Sequence, residues 1–111
     1  TGSLVLERFE GWESRMYIRD IDCKASIKWY KLAAEQREAA DQYNLGLMYG
    51  NGLRVIQDYT RAHMWWNIVA SQGDEMAMEN RDLIAKKMTP SQIEKAQTLA
   101  SECVAKNYKD C

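Results

Sequence analysis

His63 is the one histidine in a chain of 111 residues, and Cys23, Cys103 and Cys111 are its only thiols. A zinc site takes four ligands at close spacing, and one imidazole with three scattered cysteines does not supply them. Nucleophilic catalysis built on His63 lacks its partners, because no acid or thiol stands three or four residues away along the chain. His63 also falls off the apolar stripe of its segment, so the expectation is a solvated surface side chain. Gly46, Gly50 and Gly52 follow no strand pattern, which argues against a phosphate loop. Asp74 and Glu75 mark a helix start, where carboxylates meet exposed N–H groups. Lys86-Lys87 and the basic stretch from Lys106 to Lys109 read as solvated helix ends. The cysteines read as free thiols, with Cys103 as a small apolar core residue. A Cys103–Cys111 bridge would require the chain to turn back, since eight residues of helix span about 12 Å. No catalytic set, metal site or cofactor motif emerges from these residues, and an enzyme is not expected.

The elements that carry them are helical. The chain has one proline and six glycines, and its Ala, Met, Gln, Lys and Glu favour helix over sheet. Its length suits a single domain. Fifteen Lys and Arg balance sixteen Asp and Glu, which gives no electrostatic reason to expect nucleic acid as the main partner. No apolar run approaches the roughly 18 residues of a membrane span, so no membrane insertion is expected.

The sequence repeats with a shift of 36 residues, which superposes Asp22 on Asp58, Trp29 on Trp65, Ala34 on Ala70 and Gln36 on Gln72. In each copy the small or apolar residues recur at i, i+3, i+4, i+7 and i+8. They are Ser26, Trp29, Tyr30, Ala33 and Ala34, then Ala62, Trp65, Trp66, Val69 and Ala70. That is one broad stripe of an amphipathic helix, with Asp22 and Asp58 placed to cap its start. Between the copies, Glu38 to Tyr49 forms another helix. Asp41, Leu45, Met48 and Tyr49 share a face there, and Gly46 permits close approach of a neighbouring backbone. Gly50-Asn51-Gly52 stops it. A further helix is expected over Glu75 to Met88. Thr89-Pro90-Ser91-Gln92 then forms a capping box with proline at the first helical position, opening a last helix to Lys106. Asn107 to Cys111 is expected to fray. Residues 1–21 are the weakest part, read as a degenerate helix (Leu4 or Val5, Phe9, Trp12 and Met16) or as vector-derived sequence. The repeat domain is placed at 22–111, divided as the second helix of one repeat at 22–37, a full repeat at 38–73 and a terminal helix pair at 74–106.

This pattern resembles the Sel-one-like repeat family, relatives of the tetratricopeptide repeats. The resemblance is carried by Tyr43-Asn44-Leu45-Gly46-Leu47-Met48-Tyr49, then Gly52, Val55, Asp58, Arg61-Ala62, Trp65-Trp66, Ala70 and Gln72-Gly73. The ending from Met88 to Ala100 is similar to the terminal helix that closes such arrays in bacterial proteins. Asp41, Arg37, Arg54 and Ser26 depart from the family's small residues and glycines. The resemblance implies an all-α solenoid of antiparallel helix pairs with a C-terminal capping helix. Its function would be a protein–protein interaction scaffold that binds a partner segment on its concave face. Self-association through the open repeat end and a hydrolase-like enzyme are the alternatives.

Candidate sites follow from that frame. Trp29, Leu45, Gly46, Tyr49, Gly52, Asp58, Ala62, Trp65, Trp66 and Ala70 are expected to be structural. Tyr43 and Leu47 point away from the Leu45/Tyr49 face and are expected, with Asn44 and with Glu79 and Leu83 on the next first helix, to meet a protein or peptide partner. No cofactor, metal or nucleic acid is expected.

Overall fold

The computed structural model describes residues 27–36, 38–53 and 55–111. The Leu4 to Met16 stripe, the Asp22 cap, Cys23, Ser26, Arg37, Arg54 and the side chain of Tyr30 lie outside the described residues. Among the described residues five helices follow one another: α1 (Ile27–Glu35), α2 (Ala39–Asn51), α3 (Tyr59–Ala70), α4 (Glu75–Ala85) and α5 (Pro90–Ala105). There is no strand among the described residues.

Local chemistry sets the helix ends. Asp58 accepts the Arg61 N–H at 3.1 Å and Asp74 accepts the Ala77 N–H at 3.0 Å, each satisfying one exposed donor of its helix start. Thr89 Oγ1 accepts the Gln92 N–H at 3.1 Å, and Gln92 Oε1 accepts the Thr89 N–H at 2.9 Å. The two bonds form a reciprocal box, with Pro90 as the first residue of α5. Gly52 ends α2 at φ 68°, and the Leu53 N–H reaches back to Met48 O at 2.9 Å. That left-handed step disfavours any side chain, which is why a glycine stands there.

Helix α3 is the hub. It packs against α2, α4 and α5, while α1 lies on α2. Trp66 is fully buried in the α2–α3 contact, against the bare backbone of Gly46 and Gly50. Its indole N–H donates to Tyr43 O at 3.2 Å. Leu45, Met48, Ala62, Ile68, Val69, Ala77, Ile84, Ala96, Ala100 and Cys103 complete one continuous core. Two buried polar residues tie the layers together. Gln42 donates to Ala34 O at 3.1 Å and accepts from Gln72 at 3.1 Å. Asn80 donates to the Tyr43 hydroxyl at 2.8 Å. A buried amide is tolerated when its hydrogen bonds are replaced in this way.

The C-terminus departs from expectation twice. Cys103 and Cys111 are joined by a disulfide with their Cα atoms 5.6 Å apart, so they are not free thiols. The chain also does not fray after α5. Asn107, Tyr108 and Asp110 take left-handed φ values of 56°, 65° and 57°, which turn it back on itself. Tyr108 and Cys111 then pack against the core. The reversal removes the helical separation that would keep the two sulfurs apart.

Candidate partner-binding surface

Of the five residues expected to meet a partner, only two lie at the surface. Tyr43 and Leu47 are completely buried and Asn44 nearly so. This corrects their expected outward placement. Every residue from Gln42 to Gly50 is buried, so α2 has no outward flank along that stretch. The Tyr43 ring packs against Trp66 with centroids 6.5 Å apart, and its hydroxyl is engaged by Asn80. Asn44 keeps a buried Oδ1 with no hydrogen-bond partner. Glu79 is exposed and Leu83 half-buried, one turn apart on α4.

Two further placements differ from the sequence reading. Trp29 is 70% exposed, whereas Trp65, its counterpart under the 36-residue shift, is 1% exposed. The local pattern is the same and the neighbours differ. Trp65 lies on the hub helix and shares a cleft with Lys31 and Glu35 of α1 and with Tyr108, Asp110 and Cys111 of the C-terminal turn. His63 is 3% exposed rather than solvated, and its Nδ1 has no hydrogen-bond partner. The sequence signal for this was weak. Position 63 lies beside the stripe of α3, and Arg81 and Asp82 of α4, which packs on α3, act on it electrostatically.

Burial lowers the His63 pKa below its ordinary 6.5; Arg81 lowers it further, and Asp82 opposes them. The unfolded chain therefore takes up this proton at a higher pH than the folded one. Stability from His63 is fully present above about pH 6.5 and is lost as the pH falls towards the lowered value. Urea midpoints measured from pH 7.5 to 5.5 are expected to fall for the natural chain and to fall less for His63→Asn. Equal slopes would show that another group controls this range. Asp41, raised by burial and then by Glu38, works in the opposite sense at lower pH.

A cleft of about 310 Å³ opens between α1, α3 and the C-terminal turn. Arg61 sits on its wall, donating to Cys111 O at 2.5 Å, pairing with Asp58 at 3.6 Å and lying 6.0 Å from the Tyr49 ring centre. These charges are engaged within the chain. No group of three or more potential metal-ligating side chains occurs among the described residues. No helix among them is long and apolar enough to cross a membrane.

The family model for the Sel1 repeat matches residues 16–37 and again residues 39–74. The chain belongs to the Sel1 repeat family. The second match spans α2 and α3, so the Trp66–Gly46 contact joins the two helices of one Sel1 repeat. Helix α1 falls within the first match. Among solved structures, the chain is similar to c5321, a protective antigen present in uropathogenic Escherichia coli strains that displays an SLR fold. The two are 30% identical with a TM-score of 0.68 over 74% of this chain. The chain spans 19% of that protein's length. A search of curated proteins found no match. Fold and family together make this chain an α-solenoid of Sel1 repeats closed by a helix, α5, that packs on α3.

Proposed function

We propose that this chain is a module of a protein-interaction scaffold that holds a partner segment on the first-helix, concave side of its array. Membership of the Sel1 repeat family and the SLR fold support the scaffold role. The observation that carries the finer reading is the contrast between the two first helices. α2 is closed off along Gln42–Gly50, while α4 offers half-buried Leu83 beside exposed Glu79. An apolar side chain rimmed by an acid suits a partner segment with one apolar anchor and a neighbouring cation.

Substituting Tyr43 or Leu47 would damage the core and say nothing about binding. A photo-reactive amino acid at Glu79, compared with one at exposed Glu94 on α5, reads the surface directly. The expected result in native cell extract is a discrete adduct from position 79 that weakens at least several-fold with Leu83→Asp. Indistinguishable adducts from both positions would remove the α4 reading. Self-association is the second reading, favoured by Trp29 at 70% and Leu32 at 46% exposure on α1. Sedimentation of the purified chain across concentrations separates the two, because only self-association gives a dimer that Trp29→Glu disperses.

A further inference from the structure

The turn after α5 combines three features. It is closed covalently by the Cys103–Cys111 bridge. It holds Tyr108 and Asp110 in left-handed backbone conformations that side chains with a Cβ adopt reluctantly. Its Tyr108, Asp110 and Cys111 also line the cleft beside Trp65, together with Lys31 and Glu35 of α1. The noncovalent ties include the Tyr108 N–H to Cys103 O at 2.8 Å and Arg61 Nη1 to Cys111 O at 2.5 Å. Lys106, Asn107, Lys109 and Asp110 are exposed.

We propose that the Cys103–Cys111 bridge is a thiol-sensitive latch, and that a dithiol reductant releases the turn and opens the cleft beside Trp65. The two sulfurs differ in access, since Cys103 is 1% exposed whereas Cys111 is only half-buried. A thiolate of the reductant attacks Cys111 Sγ, and Cys103 leaves as a thiolate and takes up a proton. The second thiol of the reductant then displaces Cys111 from the mixed disulfide. Two electrons and two protons pass to the protein, and the reductant leaves as its own disulfide. The left-handed residues then relax towards ordinary backbone. Cys111 moves away from Arg61, and Tyr108 leaves the wall. Cys103 stays in the core, so the repeat frame persists. The latch is independent of the α4 surface proposed for a partner.

Trypsin reads this directly, because Lys106 and Lys109 lie inside the closed loop. The full chain carrying Cys23→Ser is digested oxidised, or after dithiothreitol, then fully reduced and weighed. Cleavage after Lys106 and Lys109 is expected to be about tenfold faster in the reduced chain, as the population of the open turn rises. Helical circular dichroism should be unchanged. Cys111→Ser should match the reduced chain and ignore dithiothreitol. Equal cleavage rates would overturn the latch, because the turn would then be held without the bridge. Loss of helix on reduction would overturn it in favour of a staple for the whole fold. Failure of the oxidised chain to yield a Cys103–Cys111 linked peptide would also overturn it.

Discussion

Gly46→Ala is expected to destabilise the chain by about 3 kcal/mol, the reverse of what helix propensity alone requires. At a free position inside a helix, alanine is favoured over glycine by about 1 kcal/mol. At Gly46 a Cβ would lie 2.2 Å from Trp66 Nε1, 2.5 Å from Cδ1 and 2.6 Å from Cε2. Non-bonded heavy atoms settle near 3.5–4.0 Å, so the indole would have to move by more than about 1 Å. It cannot do so cheaply. The ring is fully buried, its N–H is committed to Tyr43 O, and its far edge lies under Gly50. Overpacking of this kind costs about 1–3 kcal/mol and sometimes more. Denaturant unfolding of four chains checks the cause: natural, Gly46→Ala, Trp66→Leu and the double variant. The alanine should cost far less once Trp66 is gone, giving a coupling energy of roughly 1–3 kcal/mol between the sites. A gain in stability from Gly46→Ala alone would show that the helices do not meet at this residue.

Trp65→Ala is expected to cost about 3–5 kcal/mol, whereas Trp29→Ala should stay within about 0.5 kcal/mol. The two tryptophans occupy the same place in the 36-residue repeat, so a reading from repeat position alone gives them equal weight. Their exposures of 1% and 70% decide otherwise. A domain this size has a total stability of about 5–15 kcal/mol, so the Trp65 variant gives up a large share of it. Its urea midpoint should fall by roughly 2 M, given slopes of about 1–3 kcal/mol per M. Comparable losses at both positions would mean that Trp29 is covered in solution.

The same comparison shows how much of the surface was legible beforehand. Periodicity named the helices, and Asp58, Asp74 and the Thr89–Gln92 box set their starts, because capping is decided within four residues of chain. The fit of a large ring to a bare backbone was half legible. Gly46 announced a close approach, and Trp66 lay in the stripe that could fill it. The outward flank of α2 was not legible. Its stretch from Gln42 to Gly50 is buried on every side, and its polar members give no direction. Gln42 finds its partners at Ala34 and Gln72, eight and thirty residues away. A side chain satisfied so far along the chain looks solvent-facing in any local window. The burial of His63 is hidden in the same way, since its place beside the stripe does not show that α4 packs on α3 and brings Arg81 and Asp82 near it.

By itself, then, the order of residues determined the helices, their caps, the repeat and the family, because each rests on spacing along a single segment. The assembled chain alone decided which tryptophan is covered and that α2 is buried from Gln42 to Gly50. It also decided that Cys111 returns to Cys103 through three left-handed residues. These are outcomes of which segments become neighbours. Burial is a property of what lies across a contact, and the residue itself does not encode its own cover.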